Sequence, residues 1–359
     1  MRGTARLAYI DWLRGFAVLV MIESHVFHSF MRPDLHGSSA YVLSQFIGGL
    51  AAPLFLFLAG MMVGFRIDSR EQAGKSPRAR VWDALRRAGY IMLIAEAMLF
   101  QQWVFMWRLP AWTHLLRADI LNCMAVAIAM TAPIAAVKQQ KRPGAAILLG
   151  AIIAAIAPVV SALDWTWAPV FLRDYIVPAH GRFALFPEAA YVPLGAAAGF
   201  AIRRSGELHI ESTMKWMALA GFGLLYAGKF FSDQPYSLYA QSDFWLNSPG
   251  LIVIRTGIMA LAVAVAFVWA RVGILVDFVR QLGTTSLLVY WVHVELVYGA
   301  WMRVLKKRCN GWQAALATVA VIALMYLLSV AKTRYAPRLV AMWRAGRNPE
   351  LTRAEFVLK

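Results

Sequence analysis

Leu7–Phe30 reads LAYIDWLRGFAVLVMIESHVFHSF. A helical span needs about 20 mostly apolar residues, and this stretch has them. It also carries Asp11, Arg14, Glu23, His25 and His28. Ionisable groups are costly in a bilayer and face a bundle interior or a wet cavity. A helix places Asp11, Arg14, Val18, Met21, His25 and His28 on one stripe. Arg14 and His25 are then about three turns, roughly 16 Å, apart. One face thus holds an ion pair near one membrane surface and imidazoles deeper in or near the other. Glu23 falls roughly opposite and needs a different partner.

The rest of the chain agrees with a polytopic reading. Of its 359 residues, 60% are hydrophobic, and the mean hydropathy is +0.57. A soluble domain of this size is less apolar. Fourteen Trp and twelve Tyr suit interfacial belts. Cys123 sits in an apolar run and Cys309 in a short loop, so neither a disulfide framework nor a thiol metal site is expected. The first apolar segment contains charges and is not followed by a small-residue cleavage site, unlike a cleavable signal.

Apolar periodicity predicts about ten spans in one all-α bundle: 8–30, 40–65, 88–107, 119–137, 144–163, 185–202, 215–232, 250–271, 283–303 and 312–331. With both termini cytoplasmic, 24 of the 36 Lys and Arg fall in inner segments. This placement follows the positive-inside rule and accounts for the net charge of +17 without nucleic acid. Lys306-Lys307-Arg308 runs against it. The tail after residue 336 is basic and weakly amphipathic, suited to anionic lipid. No internal repeat or linker between soluble domains stands out.

Several groups invite chemistry. The run Pro53–Gly60 carries a proline expected to kink the second span, and Gly60 and Gly64 permit close helix approach. Arg66–Arg87 has seven basic groups against Asp68, Glu71 and Asp83. That suits an anionic nucleotide or a plain inner loop. Arg117 and Asp119 mark the outer edge of the fourth span, with Asn122 one turn in. Arg255 needs a counter-charge, for which Glu96, Asp119 and Glu295 are candidates. His293 falls near mid-membrane, where a structural hydrogen-bonding role competes with a catalytic one. Asp174, Tyr175, His180 and Arg182 in one outer segment could bind a sugar ring, as could Asp233, Tyr236, Tyr239, Asp243 and Trp245 in another. They equally suit a headgroup belt. The chain has no GxxxxGK[ST], HExxH or GxSxG motif. His25 and His28 lack a convincing third metal ligand, so no metal is expected. Histidine as a base is the simpler chemistry.

Three blocks carry a resemblance. Asp11-x-x-Arg14-Gly15 enters the first span, with His25 ten positions after the glycine. Pro53-Leu-Phe-Leu-Phe-Leu-x-Gly60 follows, and later Leu282-Gly-x-x-Ser-Leu-x-x-Tyr-x-x-His293. Their order and spacing resemble bacterial relatives of heparan-α-glucosaminide N-acetyltransferase, within the wider membrane acyltransferases. The resemblance implies a multi-pass enzyme of the bacterial inner membrane. It would take acetyl from cytosolic acetyl-CoA to a sugar or glycan acceptor beyond the bilayer. Residues 1–335 would form the transmembrane acyltransferase domain and 336–359 a basic cytoplasmic tail. The lysosomal enzyme's pattern points to His36 as the catalytic histidine, and the broader acyltransferases to His25. Asp11 and Arg14 would hold the inner end of the first helix and touch the cofactor. His28, Arg117, Asp119, Arg255 and His293 would support the site or the substrate. A transporter or flippase for a glycan or lipid precursor is the alternative.

Overall fold

The structure is a computed structural model that describes residues 8–105, 115, 117–176, 183–206, 208–235, 238–273 and 276–347, with side chains described as far as residue 336. Among these residues there are helices and no strands. In chain order they are α1 (Ala8–Phe30), α2 (Ser39–Gly48), α3 (Ala51–Gln72), α4 (Pro77–Phe105), α5 (Ile120–Thr131), α6 (Arg142–Ala162) and α7 (Val170–Ile176). They continue with α8 (Leu185–Glu188), α9 (Tyr191–Ser205), α10 (Ile210–Ser232), α11 (Pro249–Val272), α12 (Val276–Thr284), α13 (Ser286–Tyr298) and α14 (Gly311–Arg347).

Six helical stretches are long and apolar enough to cross a membrane: Ser39–Gln72, Pro77–Phe105, Gln139–Ala162, Leu185–Ser205, Pro249–Val272 and Gly311–Ala336. Ile120–Ala136 and Ser286–Tyr298 are shorter apolar helices. The count of ten spans does not follow from these lengths. The charges and imidazoles of α1 dilute its hydropathy, and the expected span 283–303 begins with the break between α12 and α13 and leaves the helix after Tyr298. Within Ser39–Gln72 the helix breaks at Gly49 and Leu50, between α2 and α3. Pro53 then lies in the first turn of α3, and Gly49 is the residue whose carbonyl its ring would meet in an unbroken helix.

The chain forms two compact units, Met1–Ser44 with Leu275–Lys359, and Gln45–Ile274. In the first unit α1 packs against α12, α13 and α14. A Cβ on Gly15 would strike the Val279 carbonyl, and one on Gly283 would strike the Asp11 carbonyl. The two sequence blocks that hold these glycines are therefore two sides of one close antiparallel contact. After α13 the chain turns back along the end of α1. The amides of Lys307, Arg308 and Cys309 donate to the carbonyls of Ser29 and Phe30, and Arg32 N–H donates to Cys309 O. These bonds satisfy carbonyls that a helix C-terminus leaves without partners, and cations there complement the helix dipole. This position gives Lys306-Lys307-Arg308 a local role that the positive-inside rule does not contain. Burial pushes the Lys306 ammonium below its usual range. The boundary expected at residue 336 falls inside α14.

The second unit is held by glycine seams and one ion cluster. Gly60 and Gly64 on α3 face Val192, Ala196 and Phe200 on α9, while Gly195 and Gly199 face Phe57 and Met61. Each helix thus offers glycines four residues apart, in parallel register, and the backbones meet. Gly221 and Gly228 on α10 meet Gly257 and Gly250 on α11 in the opposite direction. Arg142 is fully buried and binds Asp68 at 2.7 Å and Glu71 at 2.6 Å. Arg80 reaches Glu71 at 3.2 Å, and Arg70 reaches Asp83 at 2.9 Å. The three carboxylates of the 66–87 stretch, and Arg70 and Arg80 among its seven basic groups, are therefore engaged in ion pairs.

Candidate active site

The first unit gathers four of the seven histidines around α1. The helix stays unbroken from Ala8 to Phe30, so the predicted stripe exists. At its start Asp11 is buried, and Arg14 lies 3.7 Å away with one third of its side chain exposed. Further along, His25 Nδ1 lies 3.0 Å from His293 Nε2, with the rings edge to edge, centroids 5.2 Å apart and 15° from coplanar. His293 is fully buried, and its Nδ1 lies 2.8 Å from the Val289 carbonyl one turn earlier in α13. Tyr298 presents its ring edgewise to His25 at 5.2 Å and lies 6.2 Å from His28. Tyr290 packs 5.8 Å from His293.

A second strand of contacts leads from His28 to His36. His28 Nδ1 lies 3.2 Å from the Tyr41 hydroxyl, and the Tyr41 ring stacks on His36 at 4.1 Å. His36 Nε2 is buried without a hydrogen bond. Beside it, the Arg32 guanidinium holds the Asp34 carboxyl below the usual carboxylate range through a bond of 2.7 Å. Glu23, opposite the stripe, finds the Ser44 hydroxyl. The sequence thus gave the histidines, but not Tyr41 and Tyr298, which link them. Neither tyrosine lies at helical spacing from the imidazole it touches, so no local signal could have found it.

Arg117, Asp119 and Arg255 belong to the second unit. Arg117 donates to Gln102 at 3.1 Å. Asp119 caps α5, accepting from Ile120 N–H at 2.8 Å, while Asn122 accepts from Asp119 N–H at 3.2 Å. Asn122 also donates to Glu96 at 2.8 Å. Arg255 pairs with Glu188 at 3.6 Å, not with Glu96, Asp119 or Glu295. Glu188 stands 67 positions away on another helix, a separation that spacing arguments do not reach. In the outer segments Asp174 accepts from Ala118 N–H, Asp243 from Trp245 N–H, and Trp245 packs on Phe46. His180, Arg182 and Tyr236 lie outside the described residues.

The geometry on α1 is that of a supported imidazole inside a membrane-like helical unit. A family model described as heparan-alpha-glucosaminide N-acetyltransferase, catalytic, matches residues 6–229, more than half of the chain. The chain belongs to this family. A search of curated proteins finds no match. The family carries an acetyltransferase activity in general, and the apolar helices make this member a membrane protein. The matched region holds Asp11, Arg14, His25, His28 and His36, with Arg117 and Asp119. Arg255 and His293 lie beyond it. Among the described residues, no group of three or more His, Cys, Asp or Glu is arranged to hold a metal ion.

Proposed function

We propose that this member of the heparan-α-glucosaminide N-acetyltransferase family moves acetyl from cytosolic acetyl-CoA to the amine or hydroxyl of a sugar or glycan beyond the membrane. The observation that carries the reading is His25. It is an imidazole on a charged, membrane-length helix, within the matched region, and it is held by a second imidazole. Histidine exchanges protons near neutral pH and suits either a general base or a transient acyl carrier. His25 would take that role. Arg14, one third exposed at the start of the same helix, would meet the anionic part of acetyl-CoA, with Asp11 holding its orientation. Residues 1–335 would act as one transmembrane domain of about ten spans in the bacterial inner membrane, with both termini and the basic tail in the cytoplasm.

His36 is supported as a neighbour of the Tyr41–His28 contact rather than as the first catalytic choice, because its ring has a stacking partner but no orienting hydrogen bond at Nε2. Arg117, Asp119 and Arg255 would shape the second unit, and His28 would support the site. The deciding experiment supplies labelled acetyl-CoA to the inner face of vesicles containing the purified protein. Labelled acetyl should appear on glycan at the other face, and acetyl-CoA should raise the protein's thermal midpoint by mass action. Glycan crossing the membrane without acetylation, and with no effect of acetyl-CoA, would overturn the enzyme reading in favour of transport.

A further inference from the structure

We infer that His293 is a positioning residue that fixes the tautomer of His25, so that Nε2 of His25 is the nitrogen that handles the proton or the acetyl group. The inference rests on the acetyltransferase reading for its chemistry, but the hydrogen-bond logic stands by itself. A carbonyl oxygen only accepts, so the 2.8 Å contact to Val289 O requires a proton on His293 Nδ1. A neutral imidazole has one N–H, which leaves a lone pair on His293 Nε2. The atom 3.0 Å from that lone pair is His25 Nδ1, which must therefore donate. The one N–H of His25 is then used, and its lone pair sits on Nε2. A backbone carbonyl thus decides, through two rings, which nitrogen of His25 is basic. The other ring nitrogen's bond selects the tautomer in the same way at many histidine sites.

Three features make the relay rigid. His293 is fully buried, and its anchor, Val289, belongs to the same helix one turn earlier and is itself fully buried. The helices that carry the two imidazoles are fixed in the same unit. Gly15 and Gly283 bring α1 onto α12, which leads directly into α13, and the Ser29 hydroxyl donates to Val297 O at 2.9 Å between α1 and α13. The rings meet edge to edge, 15° from coplanar, so the His25 Nδ1–H points along the in-plane lone pair of His293 Nε2. In the general-base form, the acceptor's nitrogen or oxygen attacks the thioester carbonyl while its proton passes to His25 Nε2. The carbon–sulfur bond breaks, its electron pair leaves with the CoA sulfur, and that thiolate takes the proton from Nε2. In the carrier form, Nε2 itself attacks the carbonyl and CoA thiolate leaves. His293 Nε2 accepts the Nδ1 proton of the acetylated ring and returns it when the acceptor takes the acetyl group. The acceptor's own proton goes to the thiolate.

The test is ring-15N histidine NMR of the full-length protein in detergent, with His25→Gln used to assign the His25 signals. Wild-type His25 should show a protonated Nδ1 and an unprotonated Nε2. His293→Phe removes the acceptor and should return the proton to Nε2. It should lower the turnover of labelled acetyl by about 10²-fold or more, with little change in the acetyl-CoA concentration needed for half-maximal rate. His293→Gln, whose side-chain carbonyl can still accept from Nδ1, should keep the tautomer and stay within about tenfold of wild type. A wild-type His25 protonated on Nε2 overturns the inference without any variant having to fold. So does equal loss in His293→Phe and His293→Gln with the tautomer unchanged, which would make His293 a packing residue. A wild-type protein with the expected tautomer and no acetyl transfer at all would instead overturn the enzymatic reading and leave the hydrogen-bond relay standing.

Discussion

The two units bury polar groups in opposite ways. In the second, Arg142 is a permanent cation closed off by Asp68 and Glu71, with Arg80 behind Glu71. Each charge has an opposite charge, and the cluster ties α3, α4 and α6 together. In the first, beyond the Asp11–Arg14 pair, the polar groups around α1 are imidazoles and phenols, with His293 fully buried, joined by hydrogen bonds and ring contacts. An ion cluster of this kind stabilises one arrangement and resists proton movement, because removing either partner leaves a buried charge. An imidazole pair can change its protonation while its geometry persists. Buried charge in a membrane-like bundle therefore does not by itself mark chemistry. The kind of group and its partners make the distinction.

Four substitutions, with His36→Gln as a control, test that contrast in descending order of effect. Arg142→Ala should be the most damaging. It leaves Asp68 and Glu71 without their main partner and should cost about 3–5 kcal/mol, measured as lost thermal stability in detergent. Retained stability would mean that the second unit is not built on this cluster. His25→Gln should reduce acetyl transfer by about 10²-fold, equivalent to about 2.7 kcal/mol of barrier, while yield and acetyl-CoA protection survive. Inactive His36→Gln beside active His25→Gln would move the chemistry to His36, and activity in both would remove the histidine mechanism. Gly60→Ala places a methyl group against the Val192 carbonyl and should destabilise the second unit by about 1–3 kcal/mol, read from the same melting curves. Asp119→Ala should cost about 1 kcal/mol through the lost helix cap and leave acetyl transfer per folded molecule unchanged. A large catalytic defect in Asp119→Ala would contradict its structural assignment and draw the second unit into the chemistry.

Sequence by itself determined what depends on composition and local period. The apolar fraction fixed an all-helical membrane protein. The charged stripe on α1 named Asp11, Arg14, His25 and His28 before any contact was known, because residues on one helix share a calculable face. Gly60 and Gly64 are legible as a close-packing pair, and Gly195 and Gly199 on α9 are the counterparts that the structure sets against the same helix. The spacing of His293 within its block was visible too, but its meaning was not. Only tertiary structure decided that His293 meets His25, 268 positions earlier. It likewise set Glu188 against Arg255 and Arg142 against Asp68 and Glu71. Such pairings join segments whose separation along the chain carries no periodic signal. They are chosen when helices pack, through backbone contacts such as Gly15 on Val279 and Gly283 on Asp11. The ending of α13 at Tyr298 was also a tertiary outcome. The helix stops short of the expected end at residue 303, and the amides of Lys307, Arg308 and Cys309, just past it, donate to the carbonyls that end α1.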